Sequence, residues 1–190
     1  MPRDQGNIPL WDDEVSPGKL EKAFAERRFK DAEGLIKALV SDLKGMRRRV
    51  PTKTATAVLS CLRGQAWFGQ LYAVATELEN GGQKDREVRR QLAQARIEQG
   101  AVTDAIDGLL DLQRSLEREL AGLKSSSSLG AERLKLELGE VLGLLGRAYK
   151  QLYVDARPTL AEPRQHDFER AREFYRRAFT ERLGDYLWHG

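Results

Sequence analysis

Cysteine is almost missing from this 190-residue chain. Cys61 stands alone, so no internal disulfide can form and nothing points to an oxidising compartment. Aromatic residues are also scarce, at 7%. Proline occurs only at Pro2, Pro9, Pro17, Pro51, Pro158 and Pro163, which leaves long stretches without a helix breaker. No apolar run approaches the roughly 20 residues needed to span a bilayer. The opening MPRDQGNIPLWDDEV has no apolar core of signal-peptide length, and a cytoplasmic location is expected. Neither sign of charge dominates. The 32 basic and 29 acidic residues leave a formal charge of +3, a mild cationic bias rather than the footprint of an obligate nucleic-acid binder.

What remains is helix-forming. Leu, Ala, Glu, Arg and Gln are abundant, and 41% apolar with 32% charged residues suits a folded chain rather than a disordered one. Punctuation recurs along it. Ser16-Pro17 supplies an N-cap and a first-turn proline, and Pro51-Thr52 marks a second start. Gly81-Gly82 is a stop, Asp85 a cap, Gly100 an end, and Thr103 or Asp104 a further opening. The run SSSS at 125–128 and a break over Arg157 to Glu162 divide the remainder. These signals predict helices near 17–27, 29–45, 52–63, 65–80, 85–99, 103–123, 129–155 and 165–182, and no strand.

Eight helices in alternating pairs invite a search for a repeat of roughly 34 residues. Let the close-packing small residue of a first helix be slot 8 and its counterpart on the second helix slot 20. A unit beginning at Arg86 then places Leu92 at slot 7, Ala93 at slot 8, Ala105 at slot 20, Leu109 at slot 24 and Leu112 at slot 27. One period back, a unit beginning at Thr52 puts Leu59, Leu62, Phe68, Leu71, Ala75 and Leu78 at core slots. A unit beginning at Asp13 fits with Leu20, Ala23, Phe29, Ala32, Ile36 and Leu39, leaving about five extra residues that include Arg47, Arg48 and Arg49. A fourth has Leu142, Leu145, Gly146 and Tyr149 on its first helix and Phe168, Ala171, Tyr175 and Ala178 on its second, with an insertion between. This is the tetratricopeptide (TPR) pattern. One helical hairpin cannot bury its apolar stripe alone, so neighbours stack into a continuous core. The expected fold is all-α: TPR-like hairpins in a short right-handed superhelix, as a single domain over 1–190. Its units run about 13–51, 52–85, 86–128 and 129–182, with a further repeat starting over 184–190. An ordinary helical bundle with accidental spacing is the alternative.

The C-terminal third carries more than the generic pattern. LLGRAYKQLYVD (144–155), FERAREFYRRAF (168–179) and GDYLWHG (184–190) combine a Gly-Arg-x-Tyr-Lys helix, a variable insertion, an Ala/aromatic-Tyr-Arg helix and a Tyr-x-x-x-Gly start. This set, over roughly 140–190, resembles the TPR segment of the TRAF-binding region in apoptosis-signal-regulating kinases, which are mitogen-activated protein kinase kinase kinases. It also resembles segments of bacterial multidomain proteins. The resemblance implies a regulatory, protein-binding module beside an effector such as a peptidase, with the chain continuing beyond Gly190. No kinase signature is present: there is no Gly-rich loop, HRD or DFG.

Other constellations favour plain readings. Cys61 with His166 or His189 lacks a positioned base and lies between core leucines, where a small apolar filler fits. Two histidines and one cysteine match no metal-ligand spacing. No catalytic residue, metal or cofactor is expected. Asp12, Asp13 and Glu14 read as capping acids ahead of a helix, Trp11 and Trp67 as packing residues, and Trp188 as core of a next repeat. The functional reading rests on the face formed by slots 2, 5, 9, 12 and 13 of each first helix. Lys53, Arg63, Arg90, Arg147 and Lys150, with Gln94 on the same face and some acids between, make it net basic, suited to the carboxylates of an acidic peptide or a chain terminus on another protein. Two alternatives differ in class. One is anionic-ligand or nucleic-acid binding through the turn Arg47, Arg48 and Arg49; the other is a structural linker cleaved at SSSS or in 156–165.

Overall fold

Apolar residues three and four apart make one face of a helix, and that spacing sets which sides of the helices are buried. A computed structural model describes residues 16–45, 50–123, 129–155 and 161–181. Among these residues there are eight helices and no strand. They are α1 (Ser16–Ala25), α2 (Phe29–Gly45), α3 (Thr52–Gly64), α4 (Phe68–Asn80), α5 (Arg86–Glu98), α6 (Val102–Gly122), α7 (Leu129–Asp155) and α8 (Ala161–Glu181). In α3 the buried apolar set is Ala55, Val58, Leu59 and Leu62; in α4 the same spacing recurs as Leu71, Val74, Ala75 and Leu78. The fold is an all-α, TPR-like helical repeat.

The chain divides into two compact units, with the division between Ala95 and Arg96 inside α5. In the first unit α1 packs on α2 and α3 on α4, while α1 also packs on α3 and α2 on α4. First helix lies on first helix and second on second, which is how stacked hairpins share one core. That core includes Leu20, Leu39, Leu59, Leu62 and Leu71, all fully buried. In the second unit α7 packs against both α6 and α8.

Turn geometry supplies an independent reading of the repeat frame. Arg27 (φ 56°), Ala66 (φ 55°) and Gly100 (φ 81°) occupy the same slot of the first three units, and each is left-handed. At each, the following amide reaches back five residues: Arg28 N to Ala23 O at 2.8 Å, Trp67 N to Leu62 O at 3.0 Å, and Ala101 N to Arg96 O at 2.8 Å. Gly82 repeats this geometry at the end of α4, with Gln83 N on Leu78 O at 3.0 Å. These are Schellman stops, which satisfy carbonyls left over at a helix end. Only two of the four carry the glycine that the geometry favours.

Several expected boundaries shift for local reasons. α4 starts at Phe68 rather than near 65, because Gln65 to Trp67 form the Ala66 turn. α6 starts at Val102 with Ala101 in the cap position and no side-chain cap, so neither Thr103 nor Asp104 opens it. α8 starts at Ala161 rather than 165. Pro163 falls in its first turn, where the missing N–H has no helical partner in any case. Phe29 and Phe168, both placed at a core slot by the repeat frame, are about half exposed. Phe29 opens α2 and Phe168 lies two turns into α8, and each rests on one aromatic ring, Phe29 on Trp67 at 6.2 Å and Phe168 on Tyr153 at 5.4 Å.

Gly146 shows why a slot must stay small. A β-carbon built there would lie 2.9 Å from Cδ1 and 3.0 Å from Cγ of Tyr175. Those atoms belong to the root and edge of a half-buried ring, so α7 and α8 can approach only over a bare backbone.

Two stability predictions follow from this geometry. Replacing Ala66 with Gly removes the left-handed penalty and should raise stability by about 0.5–1 kcal/mol, while Gly100→Ala should lower it by about 1 kcal/mol, both read by urea titration. Gly146→Ala should cost about 1–3 kcal/mol through overpacking against Tyr175, and the Gly146→Ala/Tyr175→Val pair should recover much of that loss.

Candidate partner-binding surface

The face singled out by the repeat frame lies on the first helix of each hairpin. In the first unit it comprises Lys53 and Arg63 on α3 with Arg90 and Gln94 on α5. A polar ladder joins the two helices: the Gln91 amide, fully buried, donates to Ser60 Oγ at 3.1 Å and to Glu87 Oε1 at 2.8 Å. Thr52 at the start of α3 donates to the Asp85 carboxylate at 3.1 Å. The Asp85 carbonyl also accepts the first helical bond of α5, from Arg89. Asp85 thus meets the start of α5 with its carbonyl and the start of α3 with its carboxylate.

The cations on this face fall into two classes. Arg90 is mostly buried and paired with Glu87 one turn before it on α5. Arg147, the arginine of the Gly-Arg-x-Tyr-Lys motif, holds Glu98 Oε1 at 2.5 Å in the second unit. Lys53, Arg63 and Lys150 are exposed and have no acid partner among the described residues. Gln94 is half-buried. The Arg90–Glu87 pairing was readable as an i, i+3 ion pair. The Arg147–Glu98 pairing joins residues far apart in sequence, and only the fold brings them together.

Around the motif, aromatic rings bind α7 to α8. Tyr149 stacks on Phe174 at 5.6 Å with an interplanar angle of 17°. Burial raises the phenol pKa of both Tyr149 and Tyr175. On α6, burial alone would raise the Glu117 pKa, but hydrogen bonds from Gln113 at 2.9 Å and Arg177 at 2.6 Å together outweigh it. The Glu117 carboxylate thus ties α8 to α6 as an anion. These contacts are structural in chemistry.

The remaining candidates are placed as follows. Cys61 is half-buried beside the leucine core, and burial, with a smaller effect from Glu21, pushes its thiol up to about 11. A thiol so shifted is protonated at neutral pH and is a poor nucleophile. His166 is exposed and accepts from Arg170 Nε at 3.4 Å. Trp67 packs edge-on to Phe24 at 4.9 Å. The arginine turn Arg47, Arg48 and Arg49 lies outside the described residues, as do Trp11, Asp12, Asp13, Glu14, the SSSS run, Trp188 and His189. Of the proposed insertion, residues 156–160 lie outside them too. Among the described residues no three His, Cys, Asp or Glu side chains form a metal-holding group, and no helix is long and apolar enough to cross a membrane.

Residues 67–190, more than half of the chain, match the family described as TPR-S, Tetratricopeptide Repeats-Sensor. The chain belongs to this family. No curated protein and no solved structure matches it. The TPR-S match begins at Trp67, the residue after the left-handed turn between α3 and α4, and takes in the whole of the second unit. TPR repeats are in general interaction modules rather than catalytic domains.

The state of the Cys61 thiol can be checked directly. At pH 7.5 alkylation should run about a hundredfold slower than for an ordinary thiol, because each pKa unit costs tenfold in thiolate. A rate equal to that of a free thiol would show that Cys61 is not held in the core.

Proposed function

We propose that this TPR-S protein is a regulatory or adaptor module that holds another protein, or an effector domain beside it, through acidic groups laid on its first-helix faces. The observation that carries the reading is the pair Lys53 and Arg63. They stand exposed at the two ends of the α3 face, about 15 Å apart along the axis at 1.5 Å per residue, with no acid partner among the described residues. Cations left unmatched along a helix face are suited to partner carboxylates, which form charge-assisted hydrogen bonds. Lys150 presents the same chemistry on α7. Arg90 and Arg147 play a different part: matched to Glu87 and Glu98, they hold the shape of the face.

The finer reading is a module of a larger signalling or effector system. It is supported by the sensor description of the family and by the resemblance of Gly146, Arg147, Tyr149 and Lys150 to the TRAF-binding-region TPR segment. No residue here is assigned to catalysis, and the partner is a protein.

The test uses a labelled acidic peptide with a free terminal carboxylate, titrated in dilute and physiological salt. The Lys53→Glu/Arg63→Glu variant should bind it about tenfold more weakly, with helical content and urea midpoint unchanged. Arg90→Glu should instead lower the midpoint, since it sets two acids against each other one turn apart. Equal peptide binding by the Lys53→Glu/Arg63→Glu variant and the parent would remove the α3 face from the proposal.

A further inference from the structure

The first unit has a second concave surface, on its second helices and separate from the face just discussed. A cleft of about 430 Å³ runs between α2 and α4. Its α2 wall is a single helical stripe that includes Ile36, Lys37, Val40, Ser41 and Lys44. These recur at three- and four-residue spacing and run for about two turns. The α4 wall is Gly69, Gln70 and Ala73, with small residues four apart. Those small residues leave room for a third helix backbone to come close, as small residues do where helices pack tightly.

Its chemistry narrows the occupant. A small-molecule site needs several convergent polar groups to orient its ligand. Here the floor is Ile36, Val40, Gly69 and Ala73, and only Ser41 and Gln70 offer neutral polar atoms. The charge lies on the α2 side alone: Lys37 and Lys44 are seven residues apart, with side chains 74% and 63% exposed. Glu33 is the one acid on the lining, at the far end, and no charged residue lines the cleft from α4. Lys37 is held by Glu33 at 3.1 Å and Lys44 by Glu77 at 3.9 Å. The Lys37–Glu33 pair is exposed on both sides and worth little, so Lys37 can exchange its partner at small cost. Glu77 is only 21% exposed, but at 3.9 Å it leaves the exposed Lys44 ammonium able to take a second acid.

We infer that the α2–α4 cleft is a docking groove for an amphipathic helix of a partner protein, with an apolar stripe and two acidic residues seven apart along one edge. The stripe covers Ile36, Val40 and Ala73, and the acids replace Glu33 on Lys37 and join Glu77 on Lys44. This is recognition by a helix laid in an apolar groove, read at spacings of three, four and seven. It is independent of the first-helix face, so each surface can be lost without the other.

The probe is a synthetic helical peptide of about four turns with a Leu/Ala stripe and Glu at two edge positions seven apart. Its twin carries Lys at those two positions. With the full chain in dilute salt, the Glu peptide should bind at least tenfold more tightly than the Lys twin. The Lys37→Glu/Lys44→Glu variant should reverse that preference. Ser41→Trp, an exposed change that fills the cleft without touching the core, should abolish binding while leaving Lys53/Arg63-dependent binding intact. No binding at millimolar peptide, equal binding of the twins, or indifference to Ser41→Trp would overturn the inference. Two further results would also overturn it by naming another occupant. One is a dimer of the chain alone that Ser41→Trp makes monomeric. The other is a tenfold gain in peptide affinity in Trp11→Asp, which would mean that the chain's own N-terminal segment competes for the cleft.

Discussion

Short helices in this protein hold together by burying apolar stripes on one another, and at Gly146 the packing is closer than any side chain allows. The hairpin helices α3, α4 and α5 have thirteen residues each, too short to be stable helices by themselves. Their stability comes from burying apolar stripes on one another. The stripes interlock with small, buried side chains at slot 20 of three units, Ala32 in the first compact unit and Ala105 and Ala171 in the second, and with Leu71 at that slot of the unit from Thr52. Gly146 is the extreme case, a slot reduced to bare backbone so that the Tyr175 ring can lie on it. The Schellman stops at Arg27 and Ala66 serve the same end, reversing the chain within three residues so that α1 lies on α2 and α3 on α4.

With the interior given over to packing, the charged side chains lie on the outer faces, and pairing sorts them into two kinds. A cation matched by a fixed acid is part of the scaffold, as Arg90 is with Glu87, Arg147 with Glu98 and Arg177 with Glu117. A cation without such a partner, or with one held only by an exposed pair, can be shared with another molecule. Among the described residues Lys53 and Arg63 belong to the first kind of surface charge and Lys37 to the second, while Lys44 reaches its acid only at 3.9 Å. The net charge of the chain is nearly balanced, so selectivity for a partner has to come from this local placement rather than from an overall field.

Much of the fold was legible in sequence because the repeat is periodic and because its core slots take few residue types. Leu59, Leu62, Leu71, Ala75 and Leu78 occupy buried positions that the frame assigns them. The turns were partly legible. Gly100 announces its left-handed stop, whereas Ala66 and Arg27 adopt the same geometry with no glycine to signal it. Less of the candidate surface could be read. Charge type and helix face follow from spacing, but the pairing that neutralises Arg147 depends on Glu98, forty-nine residues earlier. The α2–α4 cleft was not legible at all, since it arises from the shape left between two helices rather than from a residue pattern.

The central claim is that a small-residue slot lets helices meet over bare backbone, and one proton resonance tests it. In solution, the Gly146 α-protons should lie under the face of the Tyr175 ring and shift strongly upfield, with the shift lost in Tyr175→Leu. Gly146 α-protons at ordinary helical positions, unaffected by that substitution, would contradict the packing on which this account of the repeat is built.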